Sequence, residues 1–185
     1  MLPVLDRPFK RIESQRVVVM DALKGEGVEE LVWRPGEGSW SLTEVIEHLV
    51  IAEERSLRGL ERERPADLGS RFRASMKIRL LTLLAPLPIR VRAPSKGLLP
   101  TGTARLPELA VRWGEARCRL AGVLDAVTPE ALGERRWKHP IAGWLDTGEW
   151  LGFIYAHTNH HRAQIGRIRT ALRERRSRTD LPSHV

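Results

Sequence analysis

The stretch Glu149-Trp-Leu-Gly-Phe-Ile-Tyr-Ala-His157-Thr-Asn-His160-His161-Arg-Ala-Gln-Ile165 decides how this sequence folds. Residues in a helix advance by about 100° each, so His157 and His161, four apart, lie one turn above the other on the same face. The apolar residues that share this face are Trp150, Ile154, Ile165, Ile168 and Leu172. The pattern predicts a helix that begins at Asp146 or Thr147, ends near Arg175 and carries two imidazoles on its buried face.

Three further stretches carry apolar residues at helical spacing, and the sequence lacks the sustained alternation with period two that is typical of strands. The first stretch spans about Asp6 to Lys24, and the third spans about Leu106 to Val127. The second begins after Ser41, because Ser41 and Glu44 have the spacing of a capping box, and it ends before Pro65. The sequence therefore predicts an all-α fold with four long helices.

The connection between the second and third helices is long. Residues 70–84 have the pattern of an extra helix, and the prolines after them favour an extended crossover; these are Pro86, Pro88, Pro94 and Pro100. We expect a four-helix bundle of the up-down-down-up type with this long crossover. A length of 185 residues suits one domain, which we place at residues 1–176, followed by a polar tail at residues 177–185.

Charge is distributed unevenly along the chain. Lys and Arg number 31 against 23 Asp and Glu, which gives a formal net charge of +8, and residues 68–107 contain no acidic residue. A basic surplus can indicate nucleic-acid binding, but the sequence shows no zinc-finger, helix-turn-helix or RNA-reading motif. We therefore expect a solvated, arginine-rich surface rather than specific nucleic-acid binding.

The two imidazoles on the buried face of the fourth helix predict a metal site. Burying them is costly unless each ring nitrogen has a partner, and a divalent metal would provide one. A zinc site needs a further protein ligand beyond this i, i+4 pair, and His48, at the edge of the apolar stripe of the second helix, is the candidate. Three imidazoles leave a coordination position open, as in catalytic sites. A hydrogen-bonded pair of His157 and His161 in a wet pocket, and an ordinary interface position for His48, stay open as alternatives.

Other polar residues near the apolar stripes have two interpretations each. His160 is either a residue that supports the site from outside the ligand set or a surface residue, and Gln164 either hydrogen-bonds near the site or only packs. Arg117 interrupts the stripe of the third helix, where it either holds an anionic group of a substrate or extends its charged end to solvent.

Four more residues with chemically active side chains receive no role in the predicted site. The capping box already explains Glu44, and Cys118 has no histidine near it in sequence that would make it a nucleophile. His139 precedes a proline in a loop and His184 belongs to the tail, and neither has ligand spacing.

The sequence resembles the DinB-like family of helical-bundle metal proteins. The resemblance rests on Trp40-Ser-Leu-Thr-Glu-Val-Ile-Glu-His48-Leu, on His139-Pro-Ile-Ala-Gly143 and on the stretch from Glu149 to Ile165, and it covers most of the chain. It implies that His48, His157 and His161 are the three metal ligands, with zinc or nickel between them. It also implies that dimers are frequent and that a low-molecular-weight thiol binds at the metal, since family members include bacillithiol S-transferases and a mycothiol-dependent maleylpyruvate isomerase.

These observations together predict a metal-dependent enzyme that catalyses thiol S-transfer or hydrolysis on a small molecule through a three-histidine site. The alternative is a stress-related bundle that binds a metal or a small ligand without turnover. The basic segment 68–107 would cover the pocket, form an interface or attract an anionic thiol. We expect a homodimer without a membrane span, because apolar runs near 18 residues are absent, and a cytoplasmic location, because the sequence has one cysteine and no secretory pattern at its start.

Overall fold

A computed structural model of the chain describes residues 1–60, 96–139 and 143–179. Its helices and strands are listed in chain order as α1 (Pro3–Asp21), α2 (Val28–Val32), α3 (Leu42–Leu60), a 3-10 turn (Lys96–Leu98), α4 (Leu106–Asp125), a 3-10 turn (Glu130–Gly133), β1 (Trp137–His139), β2 (Gly143–Leu145) and α5 (Thr147–Thr179). The predicted extra helix at residues 70–84 lies outside the described residues, as do most of the crossover and most of the tail.

The four long helices α1, α3, α4 and α5 pack against one another, with α1 against α5, α3 against α4, and α3 against α5. Their apolar faces form two clusters of buried side chains. One cluster includes Leu5, Ile12, Leu57, Leu124 and Trp150. The other includes Val45, Leu49, Trp113, Ile165 and Ile168. The prediction of an all-α four-helix bundle is confirmed, whereas the up-down-down-up order and the crossover stay predictions.

The start of α3 is fixed by the capping box that the sequence predicts. The backbone N–H of Ser41 donates to Glu44 Oε2 at 2.8 Å, and the backbone N–H of Glu44 donates to Ser41 Oγ at 3.2 Å. These bonds satisfy two backbone donors that the first turn of a helix leaves without partners. Glu44 also accepts a hydrogen bond from Arg34 Nε at 2.8 Å, so this helix start is tied to the loop before it.

Two small elements depart from the sequence prediction. The strands β1 and β2 form an antiparallel pair in which Trp137 lies opposite Leu145 and His139 opposite Gly143. Strands of three residues are too short to show a period of two, so pattern analysis misses them. The single turn α2 is missed for the same reason, because five residues show too little of the helical period.

A group of charged residues joins α1, α3 and α4; we call it the ion-pair cluster, and it consists of the buried pair Glu53 and Arg117 and the partly exposed pair Glu13 and Arg16. Arg117 Nη2 donates to Glu53 Oε1 at 2.7 Å, and both side chains are almost fully buried, with 3% and 5% exposed. Arg117 Nε lies 3.9 Å from Glu13 Oε2, and Arg16 Nε donates to Glu13 Oε1 at 3.0 Å. Opposite charges thus alternate across the three helices.

Among the described residues, no helix combines the length and the apolar character that crossing a bilayer requires.

Candidate metal centre

Three imidazoles meet between α3 and α5; we call them the histidine cluster, and they are His48, His157 and His161. One ring nitrogen from each lies within 4.8 Å of those of the other two. His48 Nε2 and His157 Nε2 are 3.2 Å apart. His48 and His161 are buried and His157 is partly buried. The structure thus brings together the three residues that the sequence proposes as ligands.

Hydrogen bonds at the far side of two rings decide which nitrogen faces the centre. His48 Nδ1 donates to the backbone carbonyl of Leu98 at 2.7 Å. His161 Nδ1 donates to Gln164 Oε1 at 2.8 Å, so Gln164 takes the hydrogen-bonding position that the sequence leaves open for it. A neutral imidazole carries one N–H, and both rings use it at Nδ1, so the Nε2 lone pairs are available to accept a proton or a metal.

The surroundings of the histidine cluster hold all three rings in the neutral state. Burial, with a smaller contribution from the neighbouring His48, lowers the pKa of His161 to about 3. Burial also lowers the pKa of His48, and it places the pKa of His157 well below the ordinary value, with a contribution from His161. A metal binds the neutral imidazole, so these shifts favour the form that can act as a ligand.

Aromatic rings flank the histidine cluster on two sides, and sequence analysis does not identify them. The Trp40 ring centroid lies 4.9 Å from that of His48 and 6.2 Å from that of His161. Phe153, one turn before His157, stacks on its ring at 5.5 Å. The only available signal for Phe153 is its i, i+4 spacing to a ligand candidate, which an ordinary packing residue would share.

The position of His139 differs from the sequence prediction. The sequence places it in a loop, whereas the structure places it in β1, buried, with its ring centroid 4.5 Å from that of Phe153. Burial lowers the pKa of His139 to about 4. The pair of strands therefore brings another neutral imidazole to Phe153, whose ring also stacks on His157.

The remaining residues singled out in the sequence lie at or beyond the edge of the cluster. His160 is partly buried, and its ring centroid is 5.0 Å from that of His161. Arg117 does not extend to solvent, because its guanidinium is buried, and its salt bridges among the described residues are with Glu53 and Glu13. Its use in holding an anionic group stays a prediction. Cys118 is exposed.

The family model of the DinB superfamily matches residues 11–165 of this chain, which is most of its length. The chain belongs to the DinB superfamily. Its family resemblance is thereby confirmed, and the matched region includes all three members of the histidine cluster.

Solved structures show the same bundle as this DinB superfamily chain. One is YfiT from Bacillus subtilis, described as a probable metal-dependent hydrolase with an unusual four-helix bundle topology; it is 16% identical, with a TM-score of 0.57 over 90% of this chain and 86% of YfiT. Another is TT2238, described as a four-helix bundle protein; it is 22% identical, with a TM-score of 0.55 over 86% of this chain and 96% of TT2238. At these identities the similarity shows the fold alone. A comparison with curated proteins finds no match.

The donor set of the histidine cluster fits a divalent metal. Nitrogen ligands lie about 2.0–2.1 Å from zinc, so two ligands of one tetrahedral ion are about 3.4 Å apart. The 3.2 Å between His48 Nε2 and His157 Nε2 is close to that value. A hydrogen bond would also suit this distance. The Nε2 atoms of His48 and His161 are both acceptors, however, because their protons are at Nδ1. A single Nε2 proton on His157 could be donated to one of them and would leave the other without a partner. A metal would satisfy all three nitrogens at once.

Proposed function

We propose that this DinB superfamily chain is a metal-dependent enzyme in which His48, His157 and His161 hold one divalent ion, zinc or nickel, and that it catalyses thiol S-transfer or hydrolysis on a small molecule. The observation that carries the proposal is the convergence of three neutral imidazoles from two helices, with their ligand atoms within 4.8 Å of one another. The description of YfiT as a probable metal-dependent hydrolase supports the same chemistry.

His48, His157 and His161 would hold the ion, which would supply a Lewis acid that lowers the pKa of a water or a thiol. The protein's own residues prepare the site for it. The Leu98 carbonyl and Gln164 Oε1 each hold an Nδ1 proton, which fixes the orientation of the rings of His48 and His161. Trp40 and Phe153 cover ring surfaces beside the centre and keep water from them.

Elemental analysis of the purified full-length protein tests the first half of the proposal. We expect close to one zinc or nickel per chain, and a content near zero after treatment with a chelator. A protein that stays free of divalent metal when it is incubated with each ion would contradict the proposal.

A turnover screen tests the second half. Metal-loaded protein is offered electrophiles with several cellular thiols, and separately ester and amide substrates, and the chelator-treated protein serves as the matched control. We expect turnover that disappears with the metal and returns when the metal is restored. A stoichiometric metal without turnover in any arm would favour the non-catalytic metal-binding bundle instead.

The proposal extends to partners and location. We propose a small-molecule substrate or a low-molecular-weight thiol, a homodimer and a cytoplasmic site of action. Light scattering on a size-exclusion column tests the dimer, for which we expect twice the chain mass of 21.0 kDa. A gel-retardation assay at physiological salt tests nucleic-acid binding, and we expect none.

A further inference from the structure

The loop at residues 98–103 lies against α3 and determines the orientation of one ligand candidate. His48 Nδ1 donates its proton to the Leu98 carbonyl at 2.7 Å. The position of this single carbonyl therefore decides whether His48 Nε2 faces His157, from whose Nε2 it is 3.2 Å away. A displacement of the loop would free the ring to rotate and to exchange its tautomer.

Glu47, the residue immediately before His48, holds this loop with both carboxylate oxygens. Thr101 Oγ1 donates to Glu47 Oε1 at 2.7 Å, and the backbone N–H of Gly102 donates to Glu47 Oε2 at 3.0 Å. Only 2% of Glu47 is exposed, so water competes little for these bonds. Neighbouring residues on a helix point about 100° apart, so the side chain of Glu47 reaches the loop while that of His48 reaches the histidine cluster.

The backbone of the loop is shaped for this contact. Gly102 has a φ of +76°, in the left-handed region that glycine adopts without strain. A Cβ at this position would also lie 3.3 Å from Glu44 Oε1, which is tighter than an ordinary contact. The loop therefore approaches α3 closely at Gly102, where Glu47 binds it.

We propose that Glu47 is a positioning residue for the metal centre, acting on His48 through the loop and the Leu98 carbonyl. The inference rests on the proposed metal site. Glu47 fixes Thr101 and Gly102, the fixed loop presents the Leu98 carbonyl, and the carbonyl holds the Nδ1 proton of His48 so that Nε2 faces the centre. Residues that orient ligands in this way typically change metal affinity by about 10- to 100-fold when they are substituted.

Cobalt titration of the full-length protein tests the proposal, with the dissociation constant and the visible absorption spectrum of Co²⁺ as readouts. We expect Glu47→Gln, which replaces one acceptor oxygen by an amide group, to weaken Co²⁺ binding by about tenfold or more and to change the spectrum. The matched control is Glu54→Gln on the same helix, because Glu54 accepts hydrogen bonds from Arg112 rather than from the loop. An affinity and a spectrum for Glu47→Gln equal to those of Glu54→Gln would overturn the proposal.

Thr101→Val, at a surface position, removes the hydrogen bond to Glu47 together with those to Thr103, and it guards against a Glu47 variant that does not fold. We expect Thr101→Val to bind Co²⁺ more weakly than the wild type. In the double variant with Glu47→Gln, we expect the loss of binding free energy to be smaller than the sum of the two single losses. Full additivity, or no effect of Thr101→Val, would overturn the coupling.

A readout in the metal-free protein separates this inference from the proposed function. The Nδ1 proton of His48 should exchange slowly with water in the wild type and in Glu54→Gln, and faster in Glu47→Gln and Thr101→Val, as measured by NMR. Equal exchange in all four proteins would overturn the positioning role even if cobalt binds. Conversely, a wild type that binds no cobalt but shows this exchange pattern would refute the metal site and leave the positioning of His48 by Glu47 supported.

Discussion

The histidine cluster and the Arg117–Glu53 pair at the centre of the ion-pair cluster are two polar groups inside the same bundle, and they offset the cost of burial in different ways. In the ion-pair cluster, Arg117 and Glu53 lie 2.7 Å apart, so each charge is compensated by its neighbour. In the histidine cluster, three bases face one another, and burial keeps their pKa values low.

This difference teaches that opposite charges offset part of each other's burial cost, even where Arg117 Nε and Nη1 have no hydrogen-bond partner among the described residues, whereas a buried group of like bases requires a cation from outside. The Nδ1 protons of His48 and His161 are already bound by Leu98 and Gln164, and their Nε2 lone pairs remain. A cation is the partner that such lone pairs select. We therefore expect substitutions in the histidine cluster to change metal binding, and substitutions in the ion-pair cluster to change stability.

The largest expected effect concerns His157→Ala. Removing one of three ligands should weaken metal binding on the order of a thousandfold, because each ligand contributes several kcal/mol to the affinity of such a site. Isothermal titration with zinc measures this loss. His160→Ala is the matched control, since it removes a neighbouring imidazole on the same helix, and we expect its zinc affinity to stay near that of the wild type. Equal losses of zinc affinity in the two variants would contradict the assignment of His157, rather than His160, as a ligand.

Arg117→Met should have the next largest effect, and on stability rather than on metal binding. It leaves the carboxylate of Glu53 buried without its partner, which costs about 3–5 kcal/mol of unfolding free energy. Urea denaturation measures the change. The double variant Glu53→Leu with Arg117→Met removes both charges, and we expect it to regain most of the loss. If the double variant is as unstable as Arg117→Met, the stability is lost with the ion pair itself and not through the burial of an unpaired carboxylate.

Zinc should stabilise the wild-type protein by about 2.7 kcal/mol when free zinc is 100 times its dissociation constant, because the ion binds the folded chain. The corresponding rise in Tm is measured by differential scanning calorimetry. Arg117→Met should show the same gain from zinc, since the ion-pair cluster does not hold the metal. If His157→Ala gained as much, zinc would be bound elsewhere.

The smallest expected effect is the pH dependence that comes from His139. Its pKa is about 4 in the folded chain against an ordinary 6.5, so its contribution to stability is complete above pH 6.5. Below that pH His139 is protonated in the unfolded chain but stays neutral in the folded chain, so the free energy of unfolding falls as the pH decreases towards 4. Between pH 7 and pH 5.5 the loss should be about 1 kcal/mol.

Urea denaturation of the metal-free wild type and of His139→Gln at both pH values measures this contribution. The variant should lose about 1 kcal/mol less than the wild type over the same interval. Identical pH dependence in the two proteins would mean that His139 titrates with its ordinary pKa and is not shielded from water by the rings of Trp137 and Phe153.

The features that sequence analysis predicts are those that local spacing determines. The i, i+4 relation of His157 and His161 and the capping box at Ser41 need only one helix, and both are found in the structure. These two inferences use residues within a few turns of one another. His48 is different, because local spacing places it only at the edge of an apolar stripe. Its assignment as a ligand, 109 residues from His157, comes from the need for a third ligand and from the family resemblance.

The features that escape prediction depend on contacts between distant parts of the chain. The carbonyl that holds His48 is 50 residues away, and Arg117 pairs with a carboxylate 64 residues away. Sequence spacing carries no information about such pairs. The sequence alone therefore leaves two interpretations for Arg117 and gives no indication that Leu98 contacts the site. The hairpin that buries His139 is too short for its period to be detected.

The separation of the ligand candidates along the chain has one more consequence. His157 and His161 share one helix, so two of the three ligand candidates are in place as soon as that helix forms. His48 comes from 109 residues earlier than His157 and joins them only when α3 has docked on α5. The absorption spectrum of an ion such as Co²⁺, coordinated by all three rings, would therefore report during folding that these two remote segments have docked.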